Sequence, residues 1–289
     1  MPRRRILIYT VVVLFLAGGS LAWTRLNRAA VGIPNFYVWK LFSGHSGNGH
    51  HAAVNGITIY YETYGHGQPV LLLHGATAFL ETMHYFITAL APGHFVIAVD
   101  SRAQGRSTDS DAAISYALMG DDMIKLLDTM HISSTDVVGW SDGGIIGLDM
   151  AMKHPERVRR LVAIGANYDV DGIDPVYLHG NENEQPPPGL KQFYERVAPE
   201  PSHFPIMFKK VTTMTHTEPH YTLAELSQIR CPTLIMAGQH DLILPEHTAK
   251  LAAAIAGARK IIVPGASHFG PLEQPETYNV LVLEFLDTP

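Results

Sequence analysis

The strand-forming run Val137-Val138-Gly139-Trp140 passes directly into Ser141-Asp142-Gly143-Gly144, and a helix-compatible segment from Ile145 to Lys153 follows without a break. A chain that changes from strand to helix within so few residues must turn sharply, and the G-x-S-x-G spacing says how. Gly139 and Gly143 leave room for the turn, and its strained geometry lifts the Ser141 hydroxyl clear of the backbone. A hydroxyl presented in this way can serve as a nucleophile if other parts of the chain supply a base, an acid and an oxyanion site.

The pattern on either side extends this turn into a sheet. Strand-like runs are expected at Ile57–Tyr64, Pro69–Leu73, Phe95–Val99, Val137–Trp140, Val158–Ile164, Thr233–Ala237 and Lys260–Val263. Helical spacing falls between them at Glu81–Leu90, Tyr116–Met130, Glu246–Ala256 and Pro275–Leu286. Several of the strands are continuously apolar, which fits a parallel sheet covered by helices on both faces. At 289 residues the chain has room for one large domain of this kind with an insertion.

The insertion is expected between about Asn167 and Ser227, where the rhythm breaks. Pro175, Pro186-Pro187-Pro188, Pro199, Pro201, Pro205 and Pro219 accompany two amphipathic patches, Leu190–Val197 and Phe204–Met214. A strand precedes the segment and another follows it. In an open α/β sheet, such an insertion lies over the carboxyl ends of the strands, where ligands bind, so the segment reads as a lid. The rival reading is a surface excursion with no substrate role.

Composition removes several function classes. Apolar residues make up 46% of the chain and charged residues 17%, which argues for a sizeable core and against disorder. The net charge is −6, with no basic block beyond the extreme N-terminus, so a nucleic-acid partner is not expected. The single cysteine, Cys231, excludes an intrachain disulfide and reads as a buried, inert thiol.

The N-terminus carries its own message. Arg3-Arg4-Arg5 precede an apolar run from Ile6 to Ala17, and small residues ending at Ala22 complete the pattern of a secretory signal. The apolar stretch from Ile6 to Trp23 also sits at the short edge of what spans a bilayer, roughly 17–25 residues. Residues 1–23 are thus expected to be a signal peptide or a retained membrane anchor, placing the protein outside the cytoplasm or at a membrane. Residues 24–53 read as a linker, with the catalytic domain covering 54–289. His45, His50 and His51 fall in the linker with no acidic or cysteine partner at ligand spacing, so no metal site is assigned.

Five separate motifs now stand in a definite order. They are His74-Gly75-Ala76, the loop Asp100-Ser101-Arg102-Ala103-Gln104-Gly105-Arg106-Ser107, the turn at Ser141, Gly238-Gln239-His240-Asp241, and Gly265-Ala266-Ser267-His268-Phe269. From about Ile57 to Leu286 the chain resembles the serine-nucleophile, lid-bearing α/β-hydrolases. The segment Gly139–Gly144, with Gly165-Ala166-Asn167, resembles the valacyclovir-hydrolase, biphenyl-hydrolase-like branch. The second loop has Ala103 where glycine is commonest, a small change that touches nothing catalytic. The resemblance implies a mostly parallel, doubly wound sheet with an inserted helical lid, and no cofactor.

In this fold the catalytic residues follow in the order nucleophile, acid, histidine. His268 lies in a glycine-rich loop after a strand and is expected to take the Ser141 proton and return it to the leaving group. Asp241, just beyond the preceding strand, is the expected acid, and Asp169, after an earlier strand, is the alternative. The oxyanion site is assigned to the backbone N–H groups of Asp142 and Ala76. His74, Asp100 and Arg102 are read as loop scaffolding. Asp142 has two readings: a carboxylate stabilised at a helix N-terminus, or a partner for a substrate ammonium, as the resemblance implies.

A serine at 141 removes the family members that attack with a carboxylate. What remains is acyl transfer to water on a small-molecule substrate, with carboxylic esters first and then amino-acid esters, amides or lactones. Two alternatives stay open: hydrolysis of carbon–carbon bonds in ring-cleavage products, and a catalytically silent binding module tethered to a membrane.

Overall fold

The computed structural model describes residues 33–42, 49–178, 186 and 189–288. The run from Ile6 to Trp23, with the choice between signal peptide and anchor, lies outside the described residues, as does His45. Among the described residues, no helix is long and apolar enough to cross a membrane.

Eight strands form one sheet: β1 (Gly49–Val54), β2 (Ile57–Tyr64), β3 (Gln68–Leu73), β4 (His94–Asp100), β5 (Thr135–Trp140), β6 (Val158–Ile164), β7 (Thr233–His240) and β8 (Arg259–Ser267). Their spatial order is β1-β2-β4-β3-β5-β6-β7-β8, antiparallel over the first three and parallel from there on. The central strands are buried on both sides, as their continuous apolar runs require. Leu71, Ile97, Val137 and Leu161 point into one core, and Leu72, Val96, Val138 and Val162 into the other.

Residues 33–42 are helical (α1). Before the insertion come α2 (His84–Leu90), α3 (Tyr116–Thr129) and α4 (Asp142–Lys153), and three more helices follow it. Between β6 and β7 lie α5 (Pro175–Leu178), α6 (Leu190–Val197), α7 (Phe204–Thr217) and α8 (Leu223–Leu226). The chain closes with α9 (Pro245–Ala254), α10 (Gly270–Glu273) and α11 (Pro275–Leu286). Residues of α3, α4 and α9 cover the first core, and residues of α1, α2 and α11 cover the second. The α/β architecture expected from the sequence is thus present, and the segment between β6 and β7 is helical.

The linker expectation for residues 24–53 needs correcting. Residues 49–54 form β1, which pairs with β2 from Gly49 opposite Glu62 to Val54 opposite Ile57. The tight turn is made by Asn55 and Gly56, both at positive φ (44° and 76°). An Asn-Gly pair between strand-like runs is the strongest local hairpin signal, and the histidine- and glycine-rich run before it masked that signal. Upstream, α1 buries Phe36 in the second core, while Lys40 contacts Glu62 at 2.5 Å and the Tyr37 hydroxyl donates to Glu81 at 2.7 Å. His50 and His51 occupy successive positions of β1 and so face opposite sides, against Tyr61 and Tyr60 respectively.

Candidate active site

β5 ends at Trp140 and α4 begins at Asp142, leaving Ser141 alone to make the turn. Its backbone has φ 56° and ψ −121°, a conformation that costs a non-glycine residue energy and persists only where the surroundings enforce it. They do so here. The Ser141 N–H donates to the Ile164 carbonyl at 2.7 Å, and the Ser141 carbonyl accepts from Gly144 and Ile145 at 2.8 and 3.1 Å. A methyl group at Gly139 would overlap the Gly143 carbonyl, and one at Gly143 would overlap the Leu73 carbonyl. Both glycines are therefore needed for close approach.

Three residues from three strand ends meet at this turn. The His268 Nε2 lies 3.0 Å from the Ser141 Oγ, and its Nδ1 lies 2.7 Å from the Asp241 Oδ1. Asp241 follows β7, whose pairing with β8 carries an irregularity between Gly238 and His240. Its carboxylate also accepts from the N–H groups of Ile243 (3.1 Å) and Gly238 (3.2 Å). Burial opposes its ionisation, but the hydrogen bond and positive charge of His268, with the two backbone donors, hold the carboxyl below its ordinary range.

Asp169, the alternative acid, is elsewhere. It caps the short 3-10 helix Val170–Gly172 by accepting from the Asp171 N–H, and it pairs with His220 at 3.1 Å. The structure brings Asp241, not Asp169, to His268.

The loop after β3 lies against the nucleophile, so that a methyl group on Gly75 would sit 3.2 Å from the Ser141 Cβ. Among the described residues, the backbone N–H groups of Ala76 and Asp142 find no acceptor. His74 braces this loop. Its Nδ1 donates to the Gly75 carbonyl at 2.7 Å and its Nε2 accepts from the Ser101 N–H at 3.0 Å, an arrangement that requires the neutral ring. Burial agrees, pushing its pKa down to about 4. Asp100 accepts from the N–H groups of Leu80 and Arg106, and Arg102 makes a buried two-pronged contact with Asp122 at 2.7 and 2.8 Å. All three side chains are engaged by contacts within the fold.

Asp142 is the surprise. Instead of accepting from free N–H groups at the start of α4, it receives the Tyr116 hydroxyl on Oδ1 at 2.9 Å, and its Oδ2 is buried without a partner. Burial pushes its pKa up to about 7, against the hydrogen bond from Tyr116 and the positive charge of His268. The expected helix-terminus stabilisation is outweighed by desolvation. Tyr116 and Asp142 are 26 residues apart, and no local pattern announces their contact.

The arrangement has everything acyl transfer demands: a hydroxyl, a base within hydrogen-bond reach, an oriented acid and two free backbone donors. Comparisons with known proteins agree. Residues 70–280 match the model of the alpha/beta hydrolase family, so the chain belongs to that family and is a hydrolase. It is 29% identical over 258 residues to RutD of Azorhizobium caulinodans, named as a candidate carbamate hydrolase, covering 78% of this chain and 94% of the relative. The mouse serine hydrolase BPHL is 27% identical over 252 residues, covering 81% and 84%. Among solved structures, a bacterial membrane phospholipase A superposes with a TM-score of 0.72 at 20% identity, covering 98% of each chain. At that identity the likeness speaks for the fold alone.

Proposed function

We propose that this hydrolase cleaves carboxylic esters of small molecules through an acyl-enzyme on Ser141. The observation that carries the reading is the unbroken line from Ser141 Oγ through His268 to Asp241, at 3.0 and 2.7 Å. His268 takes the hydroxyl proton as Ser141 attacks the carbonyl carbon, and the N–H groups of Ala76 and Asp142 receive the negative charge on the carbonyl oxygen. The protonated imidazole, held by Asp241, then gives its proton to the departing alcohol. Water repeats the sequence on the acyl-enzyme and releases the acid.

An organophosphonate should label Ser141 in the intact protein, and p-nitrophenyl acetate should be turned over. Labelling at another serine would overturn the assignment. Turnover of a ring-cleavage dienone with no esterase activity would favour the carbon–carbon reading instead.

A narrower reading concerns Asp142, whose buried Oδ2 lacks a partner. A substrate ammonium beside it would complete that oxygen and favour its ionised form, making α-amino esters better substrates than matched neutral esters. Asp142→Asn should then reduce turnover of the amino ester far more than that of the neutral one. Equal losses on both would restrict Asp142 to its contact with Tyr116. As for location, the apolar run from Ile6 to Trp23 favours export or membrane attachment, and recovery of the full chain in the bacterial cytosol would refute both.

A further inference from the structure

We infer that Trp140 is a positioning residue for the histidine of the proton relay, an inference that rests on the serine-hydrolase reading above. Trp140 is the last residue of β5, directly before Ser141. Strand alternation sends its ring into the second core, among Val138, Ile164, Val263 and Ala266. From there its indole Nε1–H donates to the backbone carbonyl of His268 at 2.9 Å, across 128 residues of sequence. The ring also lies 6.2 Å from the imidazole and meets the edge of Phe269 at 6.0 Å.

The contact matters because of where the two catalytic residues sit. Ser141 is locked by the bond from its N–H to Ile164, but His268 lies on a loop beyond the end of β8. On its N-terminal side this loop is tied down through Ser267, whose N–H and Oγ both donate to Glu273 at 2.9 and 2.8 Å. At His268 itself, the peptide carbonyl is held by Trp140. One side chain thus couples the backbone that carries the nucleophile to the backbone that carries its base. A Phe or Leu would fill the same apolar space, but neither has a donor. An indole N–H buried here needs an acceptor, and the His268 carbonyl is the one it has.

Proton transfer depends steeply on alignment, and a misplaced base also makes a misplaced acid. The deciding variant is Trp140→Phe, which retains a ring in the core. Its kinetics are to be measured on acetate esters whose leaving groups range from p-nitrophenol to a simple alkanol. We expect kcat to fall about tenfold on average, KM to stay constant, and the loss to grow as the leaving group becomes poorer and more dependent on a proton from His268. Unchanged kcat, a loss equal for every leaving group, or a change in KM alone would reduce Trp140 to core packing.

If the variant does not fold, the Trp140 indole N–H resonance of the unmodified protein gives the answer. It should shift when Ser141 is phosphonylated and the imidazole becomes charged, and an unmoved resonance overturns the proposal. The two readings fail separately. An active Ser141→Ala enzyme would sink the serine-hydrolase reading, whereas an inactive one beside a fully active Trp140→Phe would sink only the role of Trp140.

Discussion

The turns that carry Ser141, Asp241 and His268 follow paths set by neighbouring strands, whereas the helices between β6 and β7 are joined to the rest of the molecule largely through side chains. Ten of the twelve residues of α4, behind the nucleophile, are buried, against one of the eight in α6. The insertion sends Phe204, Met207, Val211 and Met214 of α7 into the first core, and polar and ring contacts fix it elsewhere. Asp109 is clamped by His203 and Lys210 at 2.8 Å each, Phe193 stacks on Phe79 with ring centres 3.6 Å apart, and Glu218 accepts from the Tyr116 N–H at 3.2 Å. A cavity of about 640 Å³ beside the Asp109 clamp is lined by Tyr194, Glu200, Ile206 and Lys210, and includes none of Ser141, Asp241 and His268. The difference separates two jobs. Strand ends hold atoms to the tolerance that bond making needs, and a helical wall attached through side chains can vary in its lining without disturbing them.

If that division is correct, changes at the strand ends should abolish chemistry, and changes in the insertion should alter preference. The largest effect is expected for Ser141→Ala, with ester turnover reduced by about 10⁴- to 10⁶-fold while circular dichroism and melting stay unchanged. Residual activity well above that range would break the comparison at its root. Next comes Asp241→Asn, expected to cost on the order of 10⁴ in kcat because the imidazole loses its orienting carboxylate. Asp169→Asn, on the insertion side, should be mild. Reversal of that order would move the acid to the end of β6.

Lys210→Ala tests the other half. It removes one of the two side-chain hydrogen-bond partners of Asp109 and should lower stability by about 1–3 kcal/mol in a denaturant titration. It should also change KM across a chain-length series of esters while leaving kcat on a short acetate nearly intact. A collapse of kcat on every substrate would mean that the insertion supports the catalytic geometry after all.

The smallest expected effect concerns pH. The pKa of Asp142 is pushed up to about 7 in the fold, above that of a carboxyl in the unfolded chain. The unfolded chain therefore releases this proton first. The stabilisation is fully present at acid pH and is lost as pH rises from the unfolded pKa through about 7. Asp142→Asn keeps an acceptor for Tyr116 and carries no charge. Its melting temperature should match the parent at low pH and exceed it by a few degrees at pH 8. A difference independent of pH would show that the carboxyl ionises freely in the fold.

Much of this site is legible in the sequence. Ser141, His268 and Asp241 each follow an apolar strand by a few residues, and a parallel sheet brings all such strand ends to one edge. The twofold alternation of Leu71, Leu72, Val137 and Val138 between two cores follows from the same runs. The antiparallel edge was less legible. β1 has a buried pattern at only two of its six positions, and its strand character shows only through pairing with β2 and the Asn55-Gly56 turn.

By itself, then, the sequence determined the order of strands and helices from β2 onward, the family, and which side chains stand at the strand ends. Those features depend on local periodicity and on short turns whose geometry admits few residue types. Only the tertiary structure decided that Asp241 rather than Asp169 reaches His268, that Asp142 lies buried against Tyr116, and that the Trp140 indole holds the His268 carbonyl. Each of these contacts joins residues between 26 and 128 positions apart. Their partners are selected by how the sheet packs against its helices, and no local pattern in the chain encodes that choice.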